Sequence, residues 1–307
     1  MTRWFRALKY GIYRLGVEIV AWMLKSRVNS HESFTIWERH GFHVTPVKYY
    51  EPIPDTRLLA ANYPQKSDLP GVNFRSAEQL LFLQDSLAVY AAECAIFEAG
   101  GDDPNRFYLD NRFFYGIDPH VYYCMIRHFK PKTIIEVGAG YSTLVAALAA
   151  QQNGPTRIVA VEPEPRAFIQ QGAHGIQHMG QRVQDLSSAF FSQLAAGDIL
   201  FIDSSHVAST GSDVQFLVLE VLPRLRDGVI VHFHDIFLPW DYPPNFPLQM
   251  HLFWNEQYLV HAYLAHNDRV KVLCANHFLE QDHGDQLKVL FPDALDCRGA
   301  SLWLKTG

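Results

Sequence analysis

An acid three positions before a histidine, Asp203-Ser-Ser-His206, and a second acid beside a second histidine, His234-Asp235, are the stretches of this 307-residue chain best suited to chemistry. Carboxylates and imidazoles together hold divalent cations and move protons, the imidazole because its ordinary pKa lies near ~6.5. A third stretch, Thr133-Ile-Ile-Glu136-Val-Gly138-Ala139-Gly140-Tyr141-Ser142-Thr143, is suited to holding a ligand. Glycines allow a tight turn and close approach to the main chain. A helix starting straight after them aims its free N–H groups and positive dipole end into that turn, where a carboxylate or phosphate is stabilised.

These residues need a parallel sheet to bring them together. Thr133 to Val137 is a short β-branched run of the kind buried on both faces, and an Ala/Leu-rich helix follows the glycines. Further strands are expected at Arg157–Glu162, near Arg182–Gln184, at Asp198–Asp203, Gly228–His234, Arg269–Cys274 and Ser301–Lys305, with helices around 212–225 and 249–265. The alternation implies an α/β fold, a Rossmann-like sheet of seven mostly parallel strands with helices on both faces. Ligands in such sheets collect at the carboxyl ends of the strands, so the polar residue ending each strand carries weight. Glu162 ends the second strand about twenty residues past the turn, where a carboxylate accepts both hydroxyls of a ribose. Asp185, with Gln184 beside it, is placed to accept from an adenine amino group, or Asp185 simply caps a helix. Asp203 ends an apolar strand and should face the reacting end of the ligand. His232 and His234 share a strand face, so either also reads as a hydrogen-bonded core residue.

A dinucleotide fingerprint would place a third glycine three residues after Gly140, and Thr143 stands there. An acid, Glu136, followed by G-x-G instead resembles the first motif of class I methyltransferases dependent on S-adenosylmethionine (SAM). The cofactor contacts this implies are Glu136, Gly138, Ala139, Gly140, Tyr141, Ser142, Thr143, Glu162, Asp185 and Asp203. The placement of Asp203, His234 and Asp235 resembles the metal site of catechol-type O-methyltransferases, where a general base lies three residues after the first aspartate, the position of His206. Those enzymes usually carry Asp-Asn and a lysine base; here the residues are His-Asp and His206. A nitrogen ligand suits Mn, Fe or Zn better than Mg, so the identity of a divalent metal stays open.

From Asn111 onward the chain resembles the Methyltransf_24 group. The segments that carry the likeness are Ile134–Thr143, Phe201-Ile-Asp-Ser-Ser-His206, His234-Asp-Ile-Phe-Leu-Pro-Trp-Asp-Tyr-Pro243 and Phe253-Trp-Asn-Glu-Gln-Tyr-Leu259; Tyr49 to Asp55 is similar to a subset of the group. The resemblance implies SAM-dependent O-methylation of a small acceptor, a sugar or other natural product, with His206 and Asp203 as the catalytic pair. Trp240, Asp241, Tyr242 and Trp254 to Tyr258 would then wall the acceptor, core packing being the equal alternative.

Composition narrows the rest. A net charge of −6 argues against a general nucleic-acid binder. Four cysteines, Cys94, Cys124, Cys274 and Cys297, form no C-x-x-C pair, which fits reduced thiols and a cytoplasmic setting. Residues 1–110 are expected to form a helical and extended accessory region, with a helix over 76–100, ahead of a methyltransferase domain over 111–307. Residues 4–24 are apolar and aromatic yet broken by Arg6, Lys9, Arg14 and Glu18, too interrupted for the ~20-residue span of a bilayer. With Trp4, Phe5 and Trp22 they suit either a membrane surface or packing on the main domain or a second subunit of a homo-oligomer. The rival functions are an NAD(P)-dependent oxidoreductase, a methyltransferase-like protein with other metal chemistry, and a membrane-surface scaffold.

Overall fold

The computed structural model describes residues 3–24, 30–59, 63 and 65–307; the side chains of residues 3–5 and 7, Trp4 and Phe5 among them, lie outside the description. The chain divides into two compact units, Met1–Ala61 and Asn62–Gly307. The first unit holds α1 (Arg3–Leu24) and α2 (His31–Arg39), the latter capped by Ser30, whose hydroxyl accepts from the Ser33 N–H at 3.2 Å. Residues 42–48 form no regular element, Pro46 excluding a helix there.

The second unit opens with a run of helical turns. They are α3 (Ser76–Phe82), a π turn (Leu83–Leu87), α4 (Ala88–Ala91) and a 3₁₀ turn (Ala92–Ile96). Its start therefore lies well before the boundary expected near residue 110. The reason is burial: Leu83, Leu87 and Cys94 of this run belong to the same apolar core as the sheet.

The sheet has seven strands: β1 (Thr133–Val137), β2 (Arg157–Val161), β3 (Gln177–Met179), β4 (Ile199–Ile202), β5 (Ile230–Phe233), β6 (Val270–Ala275) and β7 (Leu302–Thr306). Their order is β3-β2-β1-β4-β5-β7-β6, parallel throughout except for β7, which runs antiparallel to both of its neighbours. The helices between them are α5 (Asp118–Phe129), α6 (Tyr141–Gln151), α7 (Ala167–Gln170), α8 (Asp213–Phe216, continued by turns to Arg224), α9 (Glu256–Leu264) and α10 (Asn276–Leu290). Strand order reverses between β1 and β4, and the carboxyl ends of strands at such a switch point are where ligands collect in open α/β sheets.

Two elements depart from expectation. The third strand lies at 177–179, not at 182–184, where Val183–Asp185 instead makes a 3₁₀ turn. A three-residue edge strand carries almost no apolar run, so Val183 was the stronger sequence signal. The helix expected over 249–265 is a π turn at Phe246–Met250 followed by α9, which begins only at Glu256.

Glu136 shows how closely the middle of the sheet is packed. Its carboxylate is fully buried on β1, with Oε1 accepting from the Tyr122 hydroxyl of α5 at 2.9 Å. Burial raises its pKa from the ordinary 4.5 to about 7, against the pull of the Thr143 and Tyr122 hydroxyls. Between those two values the folded chain keeps a proton that the unfolded chain has released. Stability thus falls as pH rises through that window and levels off above it, a loss of about 3 kcal/mol. Glu136→Gln, which cannot ionise, is expected to flatten this slope when chemical denaturation is compared between about pH 5 and about pH 8. An unchanged slope would place the titrating group elsewhere.

Candidate functional site

The turn after β1 is built by close contact. Gly138 has φ +77°, and a Cβ added there would stand 1.8 Å from the Asp203 carbonyl oxygen, an overlap no side chain survives. Gly140, at the N-cap of α6, is open by contrast. A Cβ there would meet only the Arg166 Nε, at 3.7 Å. The main chain of the turn is braced from two sides: the Thr143 hydroxyl accepts from the Gly140 N–H at 3.1 Å, and the Glu162 carboxylate accepts from the Ala139 N–H at 3.3 Å. Threonine in place of a third glycine thus closes the turn through its own side chain.

Among the residues expected to touch a cofactor, Gly138, Ala139, Gly140 and Glu162 meet at the turn, each partly exposed. Glu136 lies beneath it with no surface open to a ligand. Ser142 and Thr143 are buried in the first turn of α6, and the Tyr141 hydroxyl pairs with that of Tyr108 at 3.1 Å. Asp185 is exposed and held by Arg182 at 2.8 and 2.9 Å, which lowers its pKa; it neither ends a strand nor caps a helix. Arg166 was absent from the expected set. Its guanidinium lies 4.7 Å from the Tyr141 ring centre and 4.8 Å from that of Phe113, over the open side of the turn.

The rim formed by β4 and β5 brings the chemical residues together. Asp203, His206 and Asp235 each offer a ligand atom within 4.8 Å of the others. His206 Nε2 stands 3.3 Å from Asp203 Oδ1 and 3.6 Å from Asp235 Oδ2. His234 Nδ1 faces the same two carboxylates at 3.7 and 3.4 Å, buried and without a hydrogen-bond partner, while its Nε2 lies 3.4 Å from Asp118. His206 and Asp235 both hold left-handed backbone, φ +61° and +56°, uncommon for residues other than glycine. His232 points into the core instead, stacked 3.9 Å from Phe201 and bonded to the Ser301 hydroxyl at 2.8 Å; burial pushes its pKa well below the usual range.

Charge explains the protonation of the rim. Burial works to raise the Asp203 pKa, but the imidazoles of His234 and His206 outweigh it and hold the carboxyl well below its ordinary range. Burial works to lower His206, yet Asp203 and Glu256 lift it to about 10, and the carboxylates raise His234 as well. An ordinary value near ~6.5, expected from sequence, therefore does not apply to His206 beside these carboxylates.

The aromatic residues expected to wall an acceptor divide in two. Tyr242 is core, packed with Phe237 and Phe246, its hydroxyl accepting from the Gln257 N–H at 3.1 Å. Trp254 is half-buried with its ring centre 4.2 Å from that of His206, and Tyr258 is exposed with its hydroxyl donating to Asp241 at 2.6 Å.

Residues 135–236 match the family described as Methyltransferase domain (Methyltransf_24), a span that takes in the turn, Glu162 and both rim motifs. The strand order agrees with a SAM-dependent methyltransferase domain over that span. An uncharacterised protein of Archaeoglobus fulgidus is 24% identical over 164 residues, covering 48% of this chain and 72% of that one. Similar solved structures include the SAH-bound methyltransferase PaMTH1 of Podospora anserina, at 16% identity and TM-score 0.42 over 73% of this chain and 96% of that one. The O-methyltransferase TomG of Streptomyces achromogenes, solved with SAM, is 17% identical with TM-score 0.42 over 73% and 98%.

Gly138→Ala is expected to destabilise the fold by about 2 kcal/mol or more, through the clash with the Asp203 carbonyl and the positive φ. Gly140→Ala, at an open position with ordinary φ, should cost far less. Equal denaturation midpoints for the two variants would refute the close-contact account.

Proposed function

We propose that this protein methylates a hydroxyl group of a small natural-product acceptor, a saccharide among the candidates, at the rim of β4 and β5. The convergence of Asp203, His206 and Asp235 within 4.8 Å, beside the glycine turn, carries this reading. Bound SAM supplies an electrophilic methyl group on a positively charged sulfur. The open face at Gly140, the Glu162 carboxylate across the turn and the start of α6 fit such a ligand. Glu162 accepts from the ribose hydroxyls, and the turn and Arg166 receive the carboxylate. Asp203 and Asp235, with an imidazole nitrogen of His206 or His234, form a donor set that fits a divalent cation, and such a cation would lower the pKa of an acceptor hydroxyl. His206 holds the transferred proton at Nε2. That role requires the negative charge of Asp203 to be offset, because with Asp203 and Glu256 both beside it His206 is already protonated at neutral pH. Trp254, against the His206 ring, gives an acceptor ring a face to stack on.

The test begins with the cofactor. Calorimetric titration is expected to show SAM binding and no NAD binding, with Glu162→Ala weakening SAM by roughly 10–100-fold through loss of charged hydrogen bonds worth about 1.5–3 kcal/mol. Equal affinity in the variant would remove Glu162 from the site, and NAD binding would favour the oxidoreductase reading.

The first unit supports a second part of the reading, peripheral contact with a membrane from the cytoplasmic side. Among the described residues no helix is long and apolar enough to cross a bilayer. On α1, Leu8, Ile12, Leu15, Ile19 and Trp22 recur at four- and three-residue spacing and are all exposed, and the helix carries four basic residues against one acid in a chain of net charge −6. Such spacing would also suit a coiled coil, but the positions flanking the stripe, with Lys9, Gly11, Gly16, Glu18 and Met23, supply no complementary charge pairs. Sedimentation of the full chain with vesicles should show binding to anionic but not zwitterionic lipid, lost in the triple variant Arg6→Glu, Lys9→Glu, Arg14→Glu. Self-association without vesicle binding would instead make α1 a subunit contact.

A further inference from the structure

Glu256 is a fully buried carboxylate beside the rim, and no step of the proposed methylation uses it. Its side chain is fully inaccessible at the first residue of α9. Oε2 meets His206 Nδ1 at 2.9 Å, and Oε1 accepts from the Ser204 hydroxyl at 3.0 Å. The backbone is tied at the same place: the His206 carbonyl accepts from the Asn255 and Glu256 N–H groups at 3.0 and 3.1 Å, and the Asn255 side chain accepts from the Ala208 N–H at 2.6 Å. Trp254 closes one face of the imidazole. His206 is thereby held at one ring nitrogen, at one face and at its own main chain, and only Nε2 looks toward Asp203 and Asp235.

We propose that Glu256 is a positioning residue for His206, fixing the ring orientation and keeping a proton on Nδ1 so that proton exchange with the acceptor passes only through Nε2. A carboxylate on the far nitrogen of a working imidazole sets its tautomer and basicity in this way. The proposal rests on His206 as the proton-holding group of the rim and specifies what makes it so. A merely structural Glu256 would pin α9 to the 204–208 loop without any consequence for the ring.

Glu256→Gln in the full-length protein separates the two roles. Proton NMR is expected to show a strongly downfield Nδ1–H signal of His206, assigned by its absence in His206→Gln, that moves upfield in Glu256→Gln. Methyl transfer should lose roughly 10–100-fold in kcat with KM for SAM unchanged. Should Glu256→Gln not fold, Ser204→Ala, which frees Oε1 alone, is expected to shift the same signal in a folded protein. An unmoved signal in a folded variant, or a wild-type kcat in Glu256→Gln, overturns the proposal. The NMR readout needs no acceptor, so a wild-type protein that transfers no methyl group would refute the methylation reading while leaving the Glu256–His206 pairing to be judged by the signal.

Discussion

Everything at the carboxyl end of the sheet depends on the close passage of the Asp203 main chain over Gly138. The Asp203 N–H donates to the Val137 carbonyl at 2.8 Å, and the Asp203 carbonyl occupies the space where any other residue at 138 would start its side chain. The end of β4 is thus locked against the turn that follows β1. In the proposed reading, a ligand in the turn and a reacting group at the rim would be held by one piece of backbone, the preorganisation that transfer between two bound molecules needs. The reversal of strand order at β1 and β4 supplies the room for both.

Charge at the rim follows a repeated plan. Asp203 and Asp235 lie between two imidazoles, and each imidazole has a further carboxylate on its outer nitrogen: Glu256 for His206 and Asp118 for His234. Asp118 is itself fixed by the Asn276 side chain and by the Ala300 and Ser301 N–H groups, which ties α5, α10 and the approach to β7 to the same point. Four acids and two histidines in so small a volume are stable only because each buried negative charge has an imidazolium or several N–H donors beside it. In the proposed reading the inner pair of carboxylates would hold a cation and the outer pair would steer the rings.

The legible parts of the sequence were those where local composition and final burial agree. The runs at 133–137, 157–161, 199–202 and 230–233 are β-branched and apolar because each strand is covered on both faces, and the acids or glycines that end them stand out for the same reason. What stayed hidden was set by tertiary contact. β3 has three residues at the sheet edge and no apolar pattern, and α10 is interrupted by a non-helical His283 and by Gly284, so neither announces itself. Glu256 reads as an ordinary first-turn helix acid, and only the left-handed turn at His206 brings an imidazole against it. Arg166, four residues past Glu162, gave no signal until its guanidinium was seen between Tyr141 and Phe113.

The central claim is that a sulfonium donor in the turn and a cation-binding rim face the same acceptor. Anomalous diffraction from crystals grown with S-adenosylhomocysteine and manganese measures both positions at once. The account predicts a manganese peak coordinated by Asp203 and Asp235, with the sulfur of the bound cofactor product directed at it from the Gly138–Gly140 turn. Cofactor density anywhere else, or a rim that stays free of manganese while the metal binds at another point of the chain, would contradict it.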